Sequence, residues 1–262
     1  MPVAIQGFHE PVTGTVSYVV HDPATRQAAV IDPVLDHDLA SGQTGTASAD
    51  RLLAWLREQG LTLQWILETH VHADHVSAAR YLRREAGGQI AIGEHIREVQ
   101  ATLTRLRGWS SQDDGFDRLL RDGESFRIGS IQAIALLTPG HTPADLAYQI
   151  EDAVFIGDTL FMPDVGSARA DFPGGDAVVL YRSIRRLLDL PPATRLFVCH
   201  DYPPGREPRW QTSVAEQRAA NIHAHDGISE SEFVAMRQAR DATLAAPRLM
   251  APSLQANIRG GG

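Results

Sequence analysis

The sequence contains no lysine, because all 24 of its basic residues are arginine. Schiff-base catalysis and the phosphate-binding P-loop both require a lysine side chain, so both chemistries are excluded. Cysteine is nearly missing as well, since Cys199 is the sole one. An intrachain disulfide and a cysteine-rich metal site are therefore excluded. Any metal must be held by histidine and carboxylate side chains.

Long hydrophobic runs are also missing. No stretch reaches the roughly 18 consecutive apolar residues of a membrane-spanning helix, and the first residues lack the basic start and apolar run of a signal peptide. The formal net charge of -8 argues against a general nucleic-acid or membrane-surface binder, because such proteins need a basic face to attract phosphates. We therefore expect a cytoplasmic protein that binds neither nucleic acid nor membrane.

The length of 262 residues suits one large domain, and no stretch has the composition of a linker between two cores. We expect a single domain over residues 1–262. Strand-like runs alternate with amphipathic segments, which predicts an α/β (α+β) fold whose sheets are covered by helices on their outer faces. From about residue 211 the pattern is helical, and Ser229 with Glu232 forms a capping-box signature.

The individual elements follow from periodicity and turn signals. Strands are predicted over residues 16–20, 28–31, 63–68, 89–92, 125–128, 131–137, 144–150, 153–156 and 195–199. Helices are predicted over residues 50–59, 78–85, 96–106, 177–188, 213–222 and 230–244.

The strongest chemical signal is the segment THVHADH at residues 69–75. It places four potential metal ligands in six positions, namely His70, His72, Asp74 and His75. Neutral imidazole and carboxylate groups bind first-row transition metals, and a turn after a strand can fold such closely spaced groups round one point. The alternative interpretation is a solvated loop or helix start, which leaves the further candidate ligands in this chain without a common role.

Three further candidate ligands each follow a predicted strand. His141 lies on a Pro-Gly turn, Asp158 follows Gly157, and His200 follows Cys199. Each is a weak signal alone, because a histidine at a strand end is more often a hydrogen-bonded structural residue and an aspartate after glycine is more often a turn or cap. Together with the first segment they predict a metal centre.

These motifs occur in the order HxHxDH, PGHT, GDTLF and CHDY, and this order resembles the metallo-β-lactamase superfamily over nearly the whole chain. The resemblance implies a four-layer αββα sandwich with the metal at one edge of two sheets. Within that superfamily, the stretches ETHVHADH, GSARADF and HDY are similar to the persulfide dioxygenases, especially their bacterial Blh-like branch.

The dioxygenase resemblance implies one Fe(II) per chain, held by His70, His141 and Asp158. Two histidines and one carboxylate leave positions open for a substrate sulfur and for O2. The implied reaction oxidises glutathione persulfide with O2 and water to sulfite and glutathione, in sulfide detoxification. The remaining residues would orient the ligands and bound water, or hold a second metal: His72, Asp74, His75 and His200.

For substrate binding, the resemblance points to Arg169 as the residue that binds a substrate carboxylate. Tyr202, in the loop after His200, is a candidate hydroxyl donor. The alternatives are a surface ion pair for Arg169 and a packed ring for Tyr202. A second carboxylate-binding arginine of animal members falls at about His223, the third candidate substrate contact. Cysteines that relatives carry nearby are replaced by Ser167 and Ala170, so a role for either cysteine is excluded.

Two other functions remain open at this point. A thioester hydrolase of glyoxalase II type would use the same seven metal-site residues for two Zn ions or a mixed Fe/Zn pair, although such enzymes usually grip their substrate with basic residues that include lysine. A non-enzymatic metal-binding regulator is the third hypothesis, but degenerate superfamily members generally lose ligands that this chain retains. A homodimer is an expectation that rests on the resemblance alone.

Overall fold

The computed structural model describes residues 3–38, 42–109, 115–203 and 205–261. Two six-stranded sheets dominate this part of the chain. In spatial order the first sheet consists of β1 (Ala4–His9), β2 (Val16–His21), β3 (Gln27–Ile31), β6 (Thr62–Leu67), β8 (Gln89–Gly93) and β9 (Arg118–Leu120). The second consists of β10 (Ser125–Ile128), β11 (Ile131–Leu137), β12 (Leu146–Ile150), β13 (Ala153–Phe155), β14 (Arg195–Phe197) and β15 (Gln211–Ser213).

A small third sheet and seven helices complete the described elements. The small sheet joins β5 (Thr44–Gly45), β4 (Val34–His37) and β7 (Val76–Ser77). The helices are α1 (Ala47–Glu58), α2 (Ala79–Ala86), α3 (Ile96–Arg107), α4 (Ala177–Leu188), α5 (Val214–Ala220), α6 (Glu230–Asp241) and α7 (Met250–Asn257).

Strand direction explains where the helices lie. The first sheet begins with the antiparallel pairs β1-β2 and β2-β3, and continues with β6, β8 and β9 in parallel. The second sheet is antiparallel apart from β13 and β14. Parallel neighbours need a crossover connection, and α1, α2, α3 and α4 lie in these connections. The helices are therefore carried to the outer faces of the sheets.

The two large sheets pack against each other through side chains that alternate along each strand. On β2, Tyr18 points into the core between the sheets, whereas Val19 points towards the helices. The Tyr18 ring meets Phe155 and Phe197 of the second sheet edge-on, with ring centroids 5.0 and 5.6 Å apart. This aromatic contact joins the two inner layers.

The outer layers are apolar helix faces. Leu52 of α1 packs with Ile66 on the outer face of the first sheet. Leu180 of α4 and Phe233 of α6 pack with Val154 on the outer face of the second sheet. The order of layers is therefore helix, sheet, sheet, helix, which confirms the four-layer αββα fold.

The predicted elements are present, and β10, β11 and α4 have the predicted ends, whereas others are shifted. The strand predicted over residues 195–199 stops at Phe197, because the chain then turns into the site. The strand predicted over 144–150 begins only at Leu146, because the Asp145 carboxylate accepts a hydrogen bond from the Thr142 backbone N–H at 2.7 Å and holds a turn there. The helix predicted over 50–59 begins at Ala47.

Helix α7 and six strands were not predicted, namely β1, β4, β5, β7, β9 and β15. Strand β1 is a sheet edge with partly exposed residues, so it lacks a clear alternation of buried and exposed side chains. The other five strands are at most four residues long, which is too short for an alternating pattern. Helix α7 begins at Met250, and its N-cap Leu249 offers no side-chain cap, so it has no start signal in the sequence. After β15 the named elements of the described chain are helices. None of the helices in the described ranges is both long and apolar enough to cross a membrane.

The capping box of α6 is confirmed. The Ser229 Oγ accepts from the Glu232 N–H at 3.3 Å, and a Glu232 carboxylate oxygen accepts from the Ser229 N–H at 2.9 Å. Replacing Ser229 by alanine should lower the free energy of unfolding by about 1 kcal/mol, measured by urea denaturation. Gln238→Ala, on the exposed face of the same helix, should change it by less than about 0.5 kcal/mol. Equal effects of the two substitutions would contradict this role for the cap.

Candidate metal centre and its cavity

The candidate ligands lie at one edge of the sandwich, where strands of both large sheets end. The loop after β6 carries the segment from His70 to His75, and the loop after β11 carries His141. Asp158 follows β13, and His200 follows β14. The β-bridge between Thr15 and His200 joins this edge to the start of β2. Seven side chains from distant parts of the sequence therefore converge.

These side chains form two sets, and within each set the ligand atoms lie within 4.8 Å of one another. The first set consists of His70, His141 and Asp158. The second set consists of His72, Asp74, His75 and His200. The structure thus brings together all the residues predicted to form the metal centre, in the two groups that the dioxygenase resemblance implies.

Asp158 lies between the two sets. Its Oδ2 is 3.9 Å from His70 Nε2 and 3.7 Å from His141 Nε2. Its Oδ1 is 3.5 Å from His200 Nε2. One carboxylate can therefore serve a single metal in the first set or bridge two metals.

Buried polar atoms without a hydrogen-bond partner show that the cluster fits a metal ion. Such atoms are Nε2 of His70, His75 and His200, Nδ1 of His72, and Oδ1 of Asp158. A buried unsatisfied polar group typically costs about 1–3 kcal/mol, so a concentration of them needs a physical cause. Imidazole nitrogens and carboxylate oxygens suit a first-row transition metal. The cluster and its chemistry indicate a metal cofactor.

The histidine ring nitrogens that face away from the cluster are in hydrogen-bond contact with protein groups. His141 Nδ1 donates to the Arg169 carbonyl oxygen at 2.8 Å, which leaves Nε2 facing the cluster. Nδ1 of His75 and of His200 lies 3.3 and 3.4 Å from the Thr15 hydroxyl. Metal-binding histidines are commonly oriented in this way, because the outer hydrogen bond sets which nitrogen faces the metal.

Asp32, which the sequence analysis did not identify, supports the loop after β6. It is buried and has a φ of 48°, a left-handed conformation that is uncommon for a residue other than glycine. Its Oδ1 accepts from the Thr69 backbone N–H at 2.7 Å and lies 3.0 Å from His72 Nε2. Burial by itself would raise the pKa of the Asp32 carboxyl, but His72 and the Thr69 donors outweigh burial and hold that pKa below its ordinary value. The available signal was an aspartate at the end of a buried strand.

Asn257 of α7 holds the same loop from the other side. Its side-chain N–H groups donate to the carbonyl oxygens of His72 and His75 at 2.9 and 2.8 Å, and its Oδ1 accepts from the Ser77 N–H at 2.8 Å. The side chain is buried, so water cannot replace these bonds. The sequence offered no signal for this role, because α7 itself was not predicted.

His223 was predicted to contact substrate, and the structure places it elsewhere. It does not line the cavity described below, and its Nδ1 instead accepts from the Ser167 backbone N–H at 2.9 Å. Gly166 makes room for the ring, since a Cβ there would lie 2.2 Å from His223 Nδ1. Burial, followed by the positive charge of Arg237, lowers the pKa of His223 to about 4. His223 therefore positions the segment whose Arg169 carbonyl orients His141.

A cavity of about 460 Å³ opens onto the cluster. Asp74, His141 and Asp158 lie at its buried end, and Phe161 and Phe172 form part of its wall. This volume lies within the roughly 300–1,000 Å³ of small-molecule sites. The cavity gives a ligand access to both sets.

Arg169 and Tyr202 both line this cavity, as predicted for substrate contacts. Arg169 is already occupied, because its Nε and Nη2 donate to the two Asp171 carboxylate oxygens at 2.6 and 2.7 Å, and its Nη1 donates to the Ala245 carbonyl at 2.7 Å. This ion pair is the alternative that the sequence left open. Tyr202 is half-exposed and stacks on His200, with ring centroids 5.6 Å apart and planes inclined by 7°.

Comparison with known proteins shows which families and proteins this chain resembles. A family model described as the Metallo-beta-lactamase superfamily matches residues 11–200, which contain all the cluster residues. A probable metallo-hydrolase of Burkholderia pseudomallei is 50% identical over 99% of this chain and 93% of its own length. A beta-lactamase hydrolase-like protein of Xylella fastidiosa is 49% identical over 98% of this chain, which spans only 60% of that relative.

Two further relatives bear on the chemistry. A protein of Dictyostelium discoideum named glyoxylase B2 is 45% identical over 98% of this chain and 90% of its own length. The crystal structure of ETHE1 from Myxococcus xanthus superposes with a TM-score of 0.80, at 32% identity over 99% of this chain and 100% of that one. The similarity therefore extends well beyond the motifs round the metal centre.

Asn257→Asp should weaken metal binding, because it removes the donor to two loop carbonyls and places a negative charge against them. We expect metal affinity to fall roughly 10- to 100-fold, the range for groups that support metal ligands, measured with Zn²⁺ or Fe²⁺ by chelator competition. Gln255→Glu makes the same amide-to-acid change on the exposed side of α7 and should bind metal like the wild type. Wild-type affinity in Asn257→Asp would show that the loop does not depend on this amide.

His223 should also make stability depend on pH. Its folded-state pKa of about 4 lies below the ordinary value of 6.5. Its contribution to stability is therefore complete above pH 6.5 and is lost as the pH falls towards 4, with a slope of at most about 1.4 kcal/mol per pH unit. Asn at position 223 retains an acceptor for the Ser167 N–H but does not titrate, so urea unfolding of His223→Asn should show a smaller slope in this window. Identical slopes would contradict the buried neutral state of His223.

Proposed function

Since the chain belongs to the metallo-β-lactamase superfamily, we propose from the arrangement of its site that it is an iron-dependent persulfide dioxygenase. The reaction converts glutathione persulfide, O2 and water into glutathione and sulfite. The outer sulfur of the persulfide loses four electrons and O2 gains them, so the electron balance closes without nicotinamide or flavin. The thiolate of glutathione is the leaving group and takes up a proton.

The observation that carries this proposal is the separate set of His70, His141 and Asp158. Two histidines and one carboxylate on one face are typical of non-haem Fe(II) oxygenases, in which further positions remain open. The similarity to the Myxococcus ETHE1 structure over almost the whole of both chains supports the same assignment. Iron bound by this set would supply the electron transfer that allows O2 to react with sulfur.

The surrounding residues prepare the site for this reaction. The Arg169 carbonyl fixes the His141 ring, so that its Nε2 is presented to the cluster. Phe161 and Phe172 line the cavity beside the buried ligands and offer an apolar wall to the substrate. The half-exposed Tyr202 supplies a hydroxyl donor on the same wall. Held in this cavity, the persulfide meets the ligand cluster in a restricted orientation.

A two-metal thioester hydrolase is the second candidate, and one specific observation favours it. The second set is complete, with unpartnered Nε2 atoms on His75 and His200, and Asp158 lies between the sets in a bridging position. Two such metals would activate water for attack on a thioester carbonyl. The similarity to the Dictyostelium glyoxylase B2 agrees with this alternative. Both candidates act on glutathione derivatives.

The two functions can be separated with one protein sample. Anaerobically iron-loaded protein should consume one O2 per sulfite formed when glutathione persulfide is added, followed with an oxygen electrode and a sulfite assay. His141→Ala should abolish uptake, because it removes a ligand of the first set. The matched variant His95→Ala, whose side chain is paired with Glu98 on α3 away from the cavity, should retain wild-type uptake.

A different result would favour the thioester hydrolase. Zinc-loaded protein that hydrolyses S-lactoylglutathione, without O2 uptake by the iron-loaded form, would move the function to the two-metal hydrolases. Metal analysis of the same samples shows whether one or two ions are bound per chain. His200→Ala should then abolish the second equivalent of metal, since His200 belongs to the second set.

A further inference from the structure

We propose that Arg240 and Arg248 form a rim that binds the carboxylates of the substrate, so that the cavity selects thiol carriers with negative charges remote from the sulfur. The two residues are called the arginine rim below. The inference rests on the proposed function for the identity of the thiol carrier, glutathione. It differs from the expectation for Arg169 and His223, neither of which offers a free cation to the cavity.

Four arginines line the cavity, and two of them are neutralised. The Arg169 guanidinium is held by both oxygens of Asp171. The buried Arg237 pairs with Asp241, with its Nε and Nη2 at 2.9 and 2.6 Å from Oδ1 of that residue. A substrate carboxylate would have to displace these internal partners.

Arg240 and Arg248 differ from these two arginines in exposure and in their lack of partners among the described residues. Both side chains are exposed, and neither guanidinium has a hydrogen bond or ion pair within the described parts of the chain. The positive charge of Arg240 is one cause of the low pKa of His223, after burial and the charge of Arg237. Two cations without an ion-pair partner among the described residues are therefore available at one opening.

Negative and unpaired positive side chains of the described wall lie at opposite ends of the cavity. Among the described residues of the wall, the acidic side chains are Asp74 and Asp158, both in the metal cluster at the buried end. The arginine rim lies at the exposed end. A ligand with its sulfur at the cluster and its carboxylates at the opening matches this separation, and planar guanidinium groups bind carboxylates with paired hydrogen bonds.

The cavity wall also carries exposed apolar side chains. Val12, Tyr202 and Leu244 belong to the large hydrophobic side chains that remain exposed in the described chain, and all three line this cavity. An exposed apolar patch next to unpaired cations is typical of a binding site for a small organic anion. Glutathione has this form, because its two carboxylates lie at the ends of the peptide and its thiol branches from the centre.

The test measures binding of S-methylglutathione, a stable ligand that needs no turnover, by calorimetry on the metal-loaded protein. Arg240→Gln and Arg248→Gln should each weaken binding roughly three- to tenfold, as for an exposed ion pair with favourable geometry, and the double variant should weaken it further. Arg57→Gln removes an exposed arginine of α1 outside the cavity and should bind like the wild type. The diethyl ester of S-methylglutathione, which lacks both carboxylate charges and keeps only the ammonium group, should lose no affinity in the rim variants.

Wild-type affinity of the double variant for S-methylglutathione, or an equal loss for the diester, would overturn the proposal. The salt dependence gives a second measurement, because affinity should fall with ionic strength in the wild type and much less in the double variant. The outcome is independent of the reaction. O2 uptake with unaffected binding in the rim variants would reject the rim alone, whereas weakened binding in these variants without O2 uptake would reject the dioxygenase and leave the rim standing.

Discussion

Burial of imidazole nitrogens and carboxylate oxygens without protein partners is the constraint on which the rest of this structure depends. Each such atom loses its water and gains no hydrogen bond in return, so the edge of the sandwich is unfavourable by itself. A metal ion compensates this cost when it binds the cluster, and its binding energy then contributes to the stability of the folded chain. Metal binding at this edge would therefore contribute both to the stability of the fold and to the chemistry of the site.

The cluster is oriented by groups that come from nearly the whole chain. Asp32 follows the third strand, the Arg169 carbonyl lies before α4, and Asn257 lies on the last helix. Each supports a ligand or its loop through buried hydrogen bonds. Because these supports come from both halves of the sandwich and from the C-terminal helices, the geometry of the site depends on the packing of the fold as a unit.

The two ligand sets bear on the chemistry of the site, and the cavity bears on the choice of substrate. The chemistry depends on whether the first set acts alone or shares Asp158 with a metal in the second, and the same side chains serve both arrangements. Selection of the substrate depends on the cavity, whose exposed end carries Arg240 and Arg248. A change in one of these features need not alter the other, since the ligands are buried and the rim is exposed.

The class of fold was predicted from local sequence patterns and motifs and is confirmed, and the seven candidate metal ligands predicted from the motifs lie together in the folded chain. Period-two and helical patterns are local properties, and the spacing of His70, His72, Asp74 and His75 is contained in six consecutive positions. Even so, strand ends were misplaced where the chain turns into the site, as at Leu146, because a local pattern does not show that a side chain such as Asp145 stabilises a turn.

The partners of the other candidate residues are visible only in the folded chain. Arg169 is occupied by Asp171, and His223 faces the Ser167 backbone instead of the cavity. Asn257 supports a loop 182 residues away in sequence, counted to His75. The roles of His223 and Asn257 arise from contacts between distant segments. Asp171 lies only two residues from Arg169, but the same guanidinium also donates to the Ala245 carbonyl, 76 residues away, so its complete set of partners depends on the fold. That information is absent from composition, spacing and periodicity.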